Sequence, residues 1–475
     1  MADKKTDVVL ATPPFSLKEN FGLLDFVGQY GLPINLLYLA ASLEKAGIST
    51  RVADLSYETM STEECAGHIV SMDPECVAIS VHFTFLAHRS LKLASAIKKL
   101  NPRLKIVAGG VHFTALPEET MRECRDIDVG MRGEAEETIV DVVRCFRQNG
   151  DLKSIRGVIV REGDHLSITD ARGLIGDVNT LPFPLFDKVD LSRYAPALYK
   201  EKSKATLPIM TSRGCPFACS FCDRTVLGSR VRFYDIGYLA DMITMLFEKF
   251  NISCFDLVDE NICVTRERFN DICRLFKNRF SGYGIKWGCS MRADSVDADT
   301  GKALYDAGCR TVSFGIESGS QKMLDIYNKK LDLKKLPEKC RIITNAGISL
   351  AGSFIIGGPG EDEASIAETV DLVRKISLDY MFLWYFIPLP GSPIYKGIEA
   401  KGSLVGDYSN RTGHHISFIP KALTRERLAA GYKSVYRAFY SKPDVIVRTF
   451  KNFGLNGMPQ LFKSGIRYLN RFMLK

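Results

Sequence analysis

Twice along its 475 residues the chain alternates short apolar runs with amphipathic stretches, and few folds accept that pattern. From residue 6 to 145 the runs DVVLATPP, STRVADLS, CVAISVHFTF and KIVAGGV are separated by INLLYLAASLEKAG and SLKLASAIKKL, and the series ends in IDVGMRGEAEETIVDVVRCF. Parallel strands need a crossover, and a helix is the crossover that also covers the sheet, so residues 1–145 are predicted to form a doubly wound, Rossmann-like α/β domain. Such sheets bind ligands outside the carboxyl ends of their strands. The loops ATPPF, DLSYET, HFTF, GGVHFTALP and RGEAE are therefore the ones to inspect.

The second series starts at Leu207: LPIMT, CFDLVDEN, IKWGCSMR, TVSFGIES, SLAGSFIIGGPG and MFLWYFIPLPG. Their starts lie roughly 25 to 47 residues apart, the length of a βα unit, which predicts a partial (β/α)6 barrel over 207–400. Residues 146–206 read as a linker, with a hairpin around Glu162, Gly163 and Asp164 and the proline-punctuated stretch NTLPFPLFDKVDLSRY. Beyond 400 the repeat stops, and 401–475 is expected to be a helical, basic C-terminal region.

Directly after the first barrel run stands TSRGCPFACSFC, with Cys215, Cys219 and Cys222 in the spacing CxxxCxxC. Three thiolates on one short loop suit an iron-sulfur cluster and leave one iron of a four-iron cluster open. Zinc is the alternative, but structural zinc takes four ligands and no further Cys or His lies nearby to close a tetrahedron. The other ten of the 13 cysteines are scattered without ligand spacing and read as small buried hydrophobes.

CxxxCxxC with an aromatic residue, Phe221, before the third Cys resembles the signature of the radical S-adenosylmethionine (radical SAM) superfamily. The resemblance implies that the open iron chelates SAM and that the site gathers at the carboxyl ends of the barrel strands. It places Phe221, Glu260, Ser290, Arg292, Glu317, Gly357 and Gly358 around SAM. Chemistry agrees, since Arg292 offers a fork to a carboxylate, Glu317 an acceptor for an ammonium or ribose hydroxyls, and the GGPG turn backbone amides for adenine.

The first module, through ATPPF, LYLAASLEKAG, AGGVHFTALPEE and RGEAEET, resembles the cobalamin-binding domain that precedes the barrel in one branch of that superfamily. The resemblance implies a corrinoid site at Asp54, Ser80, Thr84, Gly109, Gly110, Gly133 and Glu134. In the family's Asp-x-His-x-x-Gly loop, Asp54 matches the Asp, but Ser56 stands where the axial His would be and Thr59 where the Gly would be. The corrinoid would then lack a histidine beneath cobalt.

A cobalamin-dependent radical SAM enzyme is thus expected, methylating an unactivated carbon through a 5′-deoxyadenosyl radical and methylcobalamin. The alternatives are an oxidative cyclase or ring rearrangement enzyme with the same cofactors and, outside catalysis, a corrinoid or electron carrier. The implied partners are a small-molecule substrate and an external electron donor of flavodoxin or ferredoxin type.

Net charge is +8, yet residues 421–475 hold twelve Lys/Arg against Glu426 and Asp444, so the remainder is near neutral and no nucleic-acid partner is indicated. The N-terminus carries no signal-peptide pattern, which places the chain in the cytoplasm. In QLFKSGIRYLNRFMLK, Leu461, Phe462, Ile466 and Phe472 share one side and Lys463, Arg467 and Arg471 another. That pattern fits either an interfacial helix, with peripheral membrane contact and a lipid-like substrate, or a helix packed on the barrel.

Overall fold

The computed structural model describes residues 6–15, 31–56, 60–194 and 205–448. The N-terminal sheet contains β1 (Val8–Ala11), β2 (Thr50–Ala53), β3 (Cys76–Ser80), β4 (Lys105–Gly109) and β5 (Val129–Met131), all parallel, in the order β2-β1-β3-β4-β5. Helices α1 (Ile34–Lys45), α2 (Thr62–Ser71), α3 (Ala87–Leu100) and α6 (Glu136–Gln148) cover its two faces, with short helices α4 (Val111–Ala115) and α5 (Pro117–Glu123) after β4. Val8, Val9, Leu10 and Ala11 are fully buried, as a central strand covered on both sides requires. Helix α2 starts where a capping box can form: the Ser61 hydroxyl accepts from the Glu64 N–H, and the Glu64 side chain accepts from the Ser61 N–H. Strand order reverses between β1 and β3, which opens a crevice at their carboxyl ends.

The hairpin of β6 (Val158–Glu162) and β7 (His165–Ile168), placed with the linker on its sequence, instead extends this sheet. Strand β6 pairs antiparallel with β5, and β7 with β6. The reason is the outer edge of β5, which would otherwise leave backbone groups unpaired; Val158, Ile159 and Val160 are buried in closing it.

The second sheet is wholly parallel, with strands adjacent in chain order: β8 (Leu207–Ile209), β11 (Cys254–Leu257), β12 (Lys286–Met291), β13 (Cys309–Glu317), β14 (Ser349–Ile356) and β15 (Tyr380–Tyr385). This is the expected six-stranded partial barrel. Its helices are α7 (Ile236–Phe250), α8 (Arg266–Phe280), α9 (Thr300–Asp306), α10 (Gln321–Ile326), α11 (Leu336–Asn345) and α12 (Glu363–Lys375). A two-stranded ribbon of β9 (Ser212–Arg213) and β10 (Arg232–Phe233) ties off the loop that holds the three cysteines.

After the barrel, β16 (Gly402–Leu404) and β17 (Phe418–Pro420) form a hairpin, followed by α13 (Arg425–Tyr440). Helix α13 buries Leu428, Tyr432, Val435 and Phe439, and the Tyr432 hydroxyl donates to the Leu383 carbonyl at 3.0 Å. The expected amphipathic segment 455–475 and Thr59 lie outside the described residues. No described helix is long and apolar enough to cross a membrane.

Candidate active site between the two sheets

A cavity of about 970 Å³ lies between the two sheets. From the N-terminal domain come Thr12, Ser56, Ser80, His82, Gly109, Gly110, Gly133 and Glu134; from the barrel come Arg213, Phe221, Glu260, Ile355, Trp384 and Tyr385; the C-terminal region adds Thr412. Both sets of strands present their carboxyl ends to it, where such folds bind ligands.

The cysteine loop is pinned from several sides. Ser220 donates from its N–H to the Tyr327 carbonyl (2.9 Å) and from its hydroxyl to the Ile326 carbonyl (2.8 Å), while the Asn328 amide donates to the Ala218 carbonyl (2.8 Å). Phe221 packs edge-on against Tyr327 at 5.2 Å, and Arg224 donates to the Phe217 carbonyl at 2.8 Å. Burial raises the proton affinity of the Cys215 and Cys222 thiols, and for Cys222, pushed up to about 12, the neighbouring Cys219 and Cys215 add to the effect. Thiols gathered this way are hard to ionise alone, and a bound cationic centre reverses the sign. No three Cys, His, Asp or Glu side chains among the described residues converge tightly enough for a single metal ion. A cluster with a separate iron for each thiolate does not require that, so the donor set fits a four-iron cluster.

Among the residues assigned to SAM, Phe221 and Glu260 face the cavity. Burial raises the proton affinity of the Glu260 carboxyl, and neighbouring Asp259 adds to it. Arg292, Glu317, Gly357 and Gly358 are engaged within the protein. Arg292, expected to fork a ligand carboxylate, donates to both Asp294 oxygens (Nε at 3.0 and 3.2 Å, Nη2 at 2.7 Å) and to the Lys329 carbonyl at 2.6 Å. Its guanidinium stacks on Phe217 at 4.1 Å, inside the cysteine loop. Glu317 pairs with Lys329 at 2.8 Å and adopts φ +68°, a conformation that a non-glycine residue holds only when its surroundings enforce it. Ser290 is exposed at the end of β12, outside the cavity lining.

The glycine-rich turn departs from expectation. The N–H groups of Gly357 and Gly358 do not point to a ligand but donate to the fully buried Glu361 carboxylate. These glycines serve close packing, since a Cβ on Gly358 would sit 2.0 Å from the Tyr327 hydroxyl.

In the corrinoid set, Ser80, Gly109, Gly110, Gly133 and Glu134 line the cavity, whereas Asp54 and Thr84 do not. Asp54 is a buried organiser: Thr12 (2.7 Å), the Ser56 hydroxyl (2.6 Å) and Tyr194 (2.5 Å) all donate to it. Thr84 is paired with His112 at 3.3 Å. Gly110, at φ +123°, brings β3 and β4 together so closely that a Cβ would lie 2.8 Å from the Val81 carbonyl oxygen. That bare edge fits a broad, rigid ligand.

Glu134 also has a different employment. It accepts from Arg213 (3.0 Å), Arg232 (2.5 Å) and the Ile175 N–H (2.8 Å), and Arg213 pairs in addition with Glu136 at 2.6 Å. This buried network joins the RGEAE loop to the strand that leads into Cys215. Sequence reasoning missed Arg213, Arg232, Lys329 and Glu361, although Arg213 stands within the TSRG stretch it singled out. It also missed Trp384, at the end of β15, and Thr412.

A B12 binding domain is matched at residues 22–143 and the Radical SAM superfamily at 209–373. The chain is 28% identical over 471 residues to an uncharacterized methyltransferase of Pyrococcus horikoshii, covering 98% of this chain and 99% of that protein. It is 28% identical over 419 residues to an anaerobic magnesium-protoporphyrin IX monomethyl ester cyclase of Cereibacter sphaeroides, covering 86% and 67%. Its fold matches that of the radical SAM methyltransferase TsrM of Kitasatospora setae, solved with cobalamin and a [4Fe-4S] cluster, at a TM-score of 0.70 and 16% identity over 90% of this chain and 91% of that one. With both domains present in this order, on either side of one cavity, the chain belongs to the radical SAM enzymes that carry a B12-binding domain.

Proposed function

We propose that this chain methylates an unactivated carbon of a small-molecule substrate. The observation that carries the proposal is the single cavity walled by Phe221 and Glu260 on the cluster side and by Ser80, Gly109 and Gly110 on the corrinoid side. Bound there together, a four-iron cluster, SAM and cobalamin supply C–H activation by a radical and a transferable methyl group. Cys215, Cys219 and Cys222 would hold three irons of the cluster. Tyr327 and Asn328 keep their loop in place, and Arg292 braces it from beneath through Phe217. Phe221 and Glu260 would face SAM, while Ser80, Gly109 and Gly110 leave room for the corrinoid. The lining is mostly apolar, and a substrate bound against it would displace water and so protect reactive species from side reactions. An electron donor of flavodoxin or ferredoxin type would reduce the cluster.

Methyltransferases among the relatives support methyl transfer, and cyclases among them support a second reading with the same cofactors. Incubating the reduced, reconstituted enzyme with cell extract and methyl-labelled SAM separates the two. Label in a new product other than methionine is the expected result. Formation of 5′-deoxyadenosine with label recovered in methionine alone would favour cyclisation, and absence of SAM cleavage would sink both.

A further inference from the structure

The walls of the cavity that neither the cysteine loop nor the corrinoid edge supplies show what they can recognise. At the end of β15 they are formed by Trp384, Ile387 and Leu389. Trp384 is held rigidly: a Cβ on Gly413 would lie 2.8 Å from its ring, and the His414 ring packs against it at 4.9 Å. A preorganised aromatic wall gives contact area with little loss of side-chain freedom on binding.

Charge points the same way. Among the described lining residues Arg213 is the one Lys or Arg, and it is bound between Glu134 (3.0 Å) and Glu136 (2.6 Å). Burial lowers the proton affinity of His82. The remaining charged group facing the space is the carboxyl of Glu260, of the wrong sign for an anion. Recognition of phosphate or carboxylate calls for a free cation or a fork of cationic donors, and the described lining residues offer neither.

We infer that the substrate is an uncharged, hydrocarbon-rich molecule laid against Trp384, and that the described walls around Trp384 hold no phosphate or carboxylate group of the substrate. This rests on the catalytic role proposed above and names the substrate class of that same cavity.

The test uses full-length enzyme loaded with cluster and cobalamin, in equilibrium dialysis against labelled farnesol and, separately, farnesyl diphosphate, which share one hydrocarbon chain. Farnesol should be retained saturably and at least tenfold more tightly than the diphosphate. Trp384→Asp should weaken its retention at least tenfold at unchanged iron and cobalamin content; should that variant lose its cofactors, Leu389→Asp carries the same expectation. Equal or tighter retention of the diphosphate, no retention of farnesol, or retention indifferent to the substitution would overturn the inference. SAM cleavage by the same preparations is scored separately. Enzyme that cleaves SAM but ignores farnesol refutes the substrate class alone, whereas enzyme that retains farnesol but never cleaves SAM refutes the catalytic proposal.

Discussion

The two walls of the cavity solve the problem of holding a ligand in opposite ways. On the N-terminal side the strands end in small residues, Ser80, Gly109 and Gly110, and the room comes from side chains that are absent. On the barrel side Glu260 faces the space, while charged and polar groups at the other strand ends are matched behind the lining: Arg292 to Asp294, Glu317 to Lys329, and the amides of Gly357 and Gly358 to Glu361. The first wall selects by shape. The second is backed by matched pairs, Glu317–Lys329 buried and Arg292–Asp294 partly so, whose members hold the cysteine loop and strand ends in place, and a ligand must compete with those pairs to use them. Between the two, Glu134, Glu136, Arg213 and Arg232 form a common joint.

If the walls are separable, removing the chemistry of one should spare the other. Replacing Cys215, Cys219 and Cys222 together with Ala should abolish iron binding and SAM cleavage while cobalamin content after reconstitution stays at the wild-type level. Iron retained near wild type would refute the cluster assignment. Loss of cobalamin along with iron would show that the two walls do not load independently.

Breaking the joint should cost more than breaking any surface pair. Arg213→Ala leaves the buried carboxylates of Glu134 and Glu136 short of a partner, and removing one member of a buried ion pair typically costs about 3–5 kcal/mol. Denaturant unfolding measures it. Arg427→Ala, which breaks the exposed pair with Glu363, should change stability by less than about 1 kcal/mol. Similar losses in the two variants would mean that the joint adds little.

The contrast also explains what could be read from the sequence. The three cysteines lie within one stretch of eight residues, so their spacing was legible as a candidate cluster site without the fold. Alternating apolar runs reported both sheets for the same reason, since each strand and its crossover are local. The joint was invisible, because Glu134 and Arg213 stand 79 residues apart and no local pattern pairs them. The β6–β7 hairpin was read correctly as a hairpin but given no sheet, since the open edge of β5 that it fills is a tertiary feature. The GGPG turn misled for a physical reason. A glycine turn looks the same whether its amides face a ligand or a carboxylate three residues further on, and here Glu361 takes them.

That carboxylate gives the next test, because a matched pair on the barrel side should show its cost with pH. Burial pushes the Glu361 carboxyl up to about 7 from an ordinary 4.5, so the folded protein holds a proton there that the unfolded chain releases first. Its contribution to stability is complete below pH 4.5 and is lost as pH rises through 7. The loss is on the order of 3 kcal/mol. Glu361→Gln keeps an acceptor for the two amides and removes the titration. Unfolding free energies of wild type minus variant, followed from pH 5 to 8, should fall with pH; a flat difference would refute the shift.

The smallest effects belong to the shape-selecting wall, and two of its glycines tell whether emptiness there is needed for the ligand or only for the backbone. Gly110 and Gly133 both line the cavity and both have positive φ, +123° and +78°. Around Gly133 a Cβ would meet nothing within 4 Å, so Gly133→Ala suffers the left-handed conformation alone, roughly 1–2 kcal/mol. Gly110 combines φ +123° with ψ −175°, a region essentially closed to other residues, and an added Cβ would meet the Val81 carbonyl oxygen at 2.8 Å. Gly110→Ala should therefore destabilise more than Gly133→Ala and should also lower cobalamin retention after gel filtration, because the ends of β3 and β4 must move apart beneath the ligand. Gly133→Ala should lose stability while retaining cobalamin. Equal cobalamin retention in the two variants would mean that the bare edge at Gly110 serves the packing of β3 on β4 and not the corrinoid.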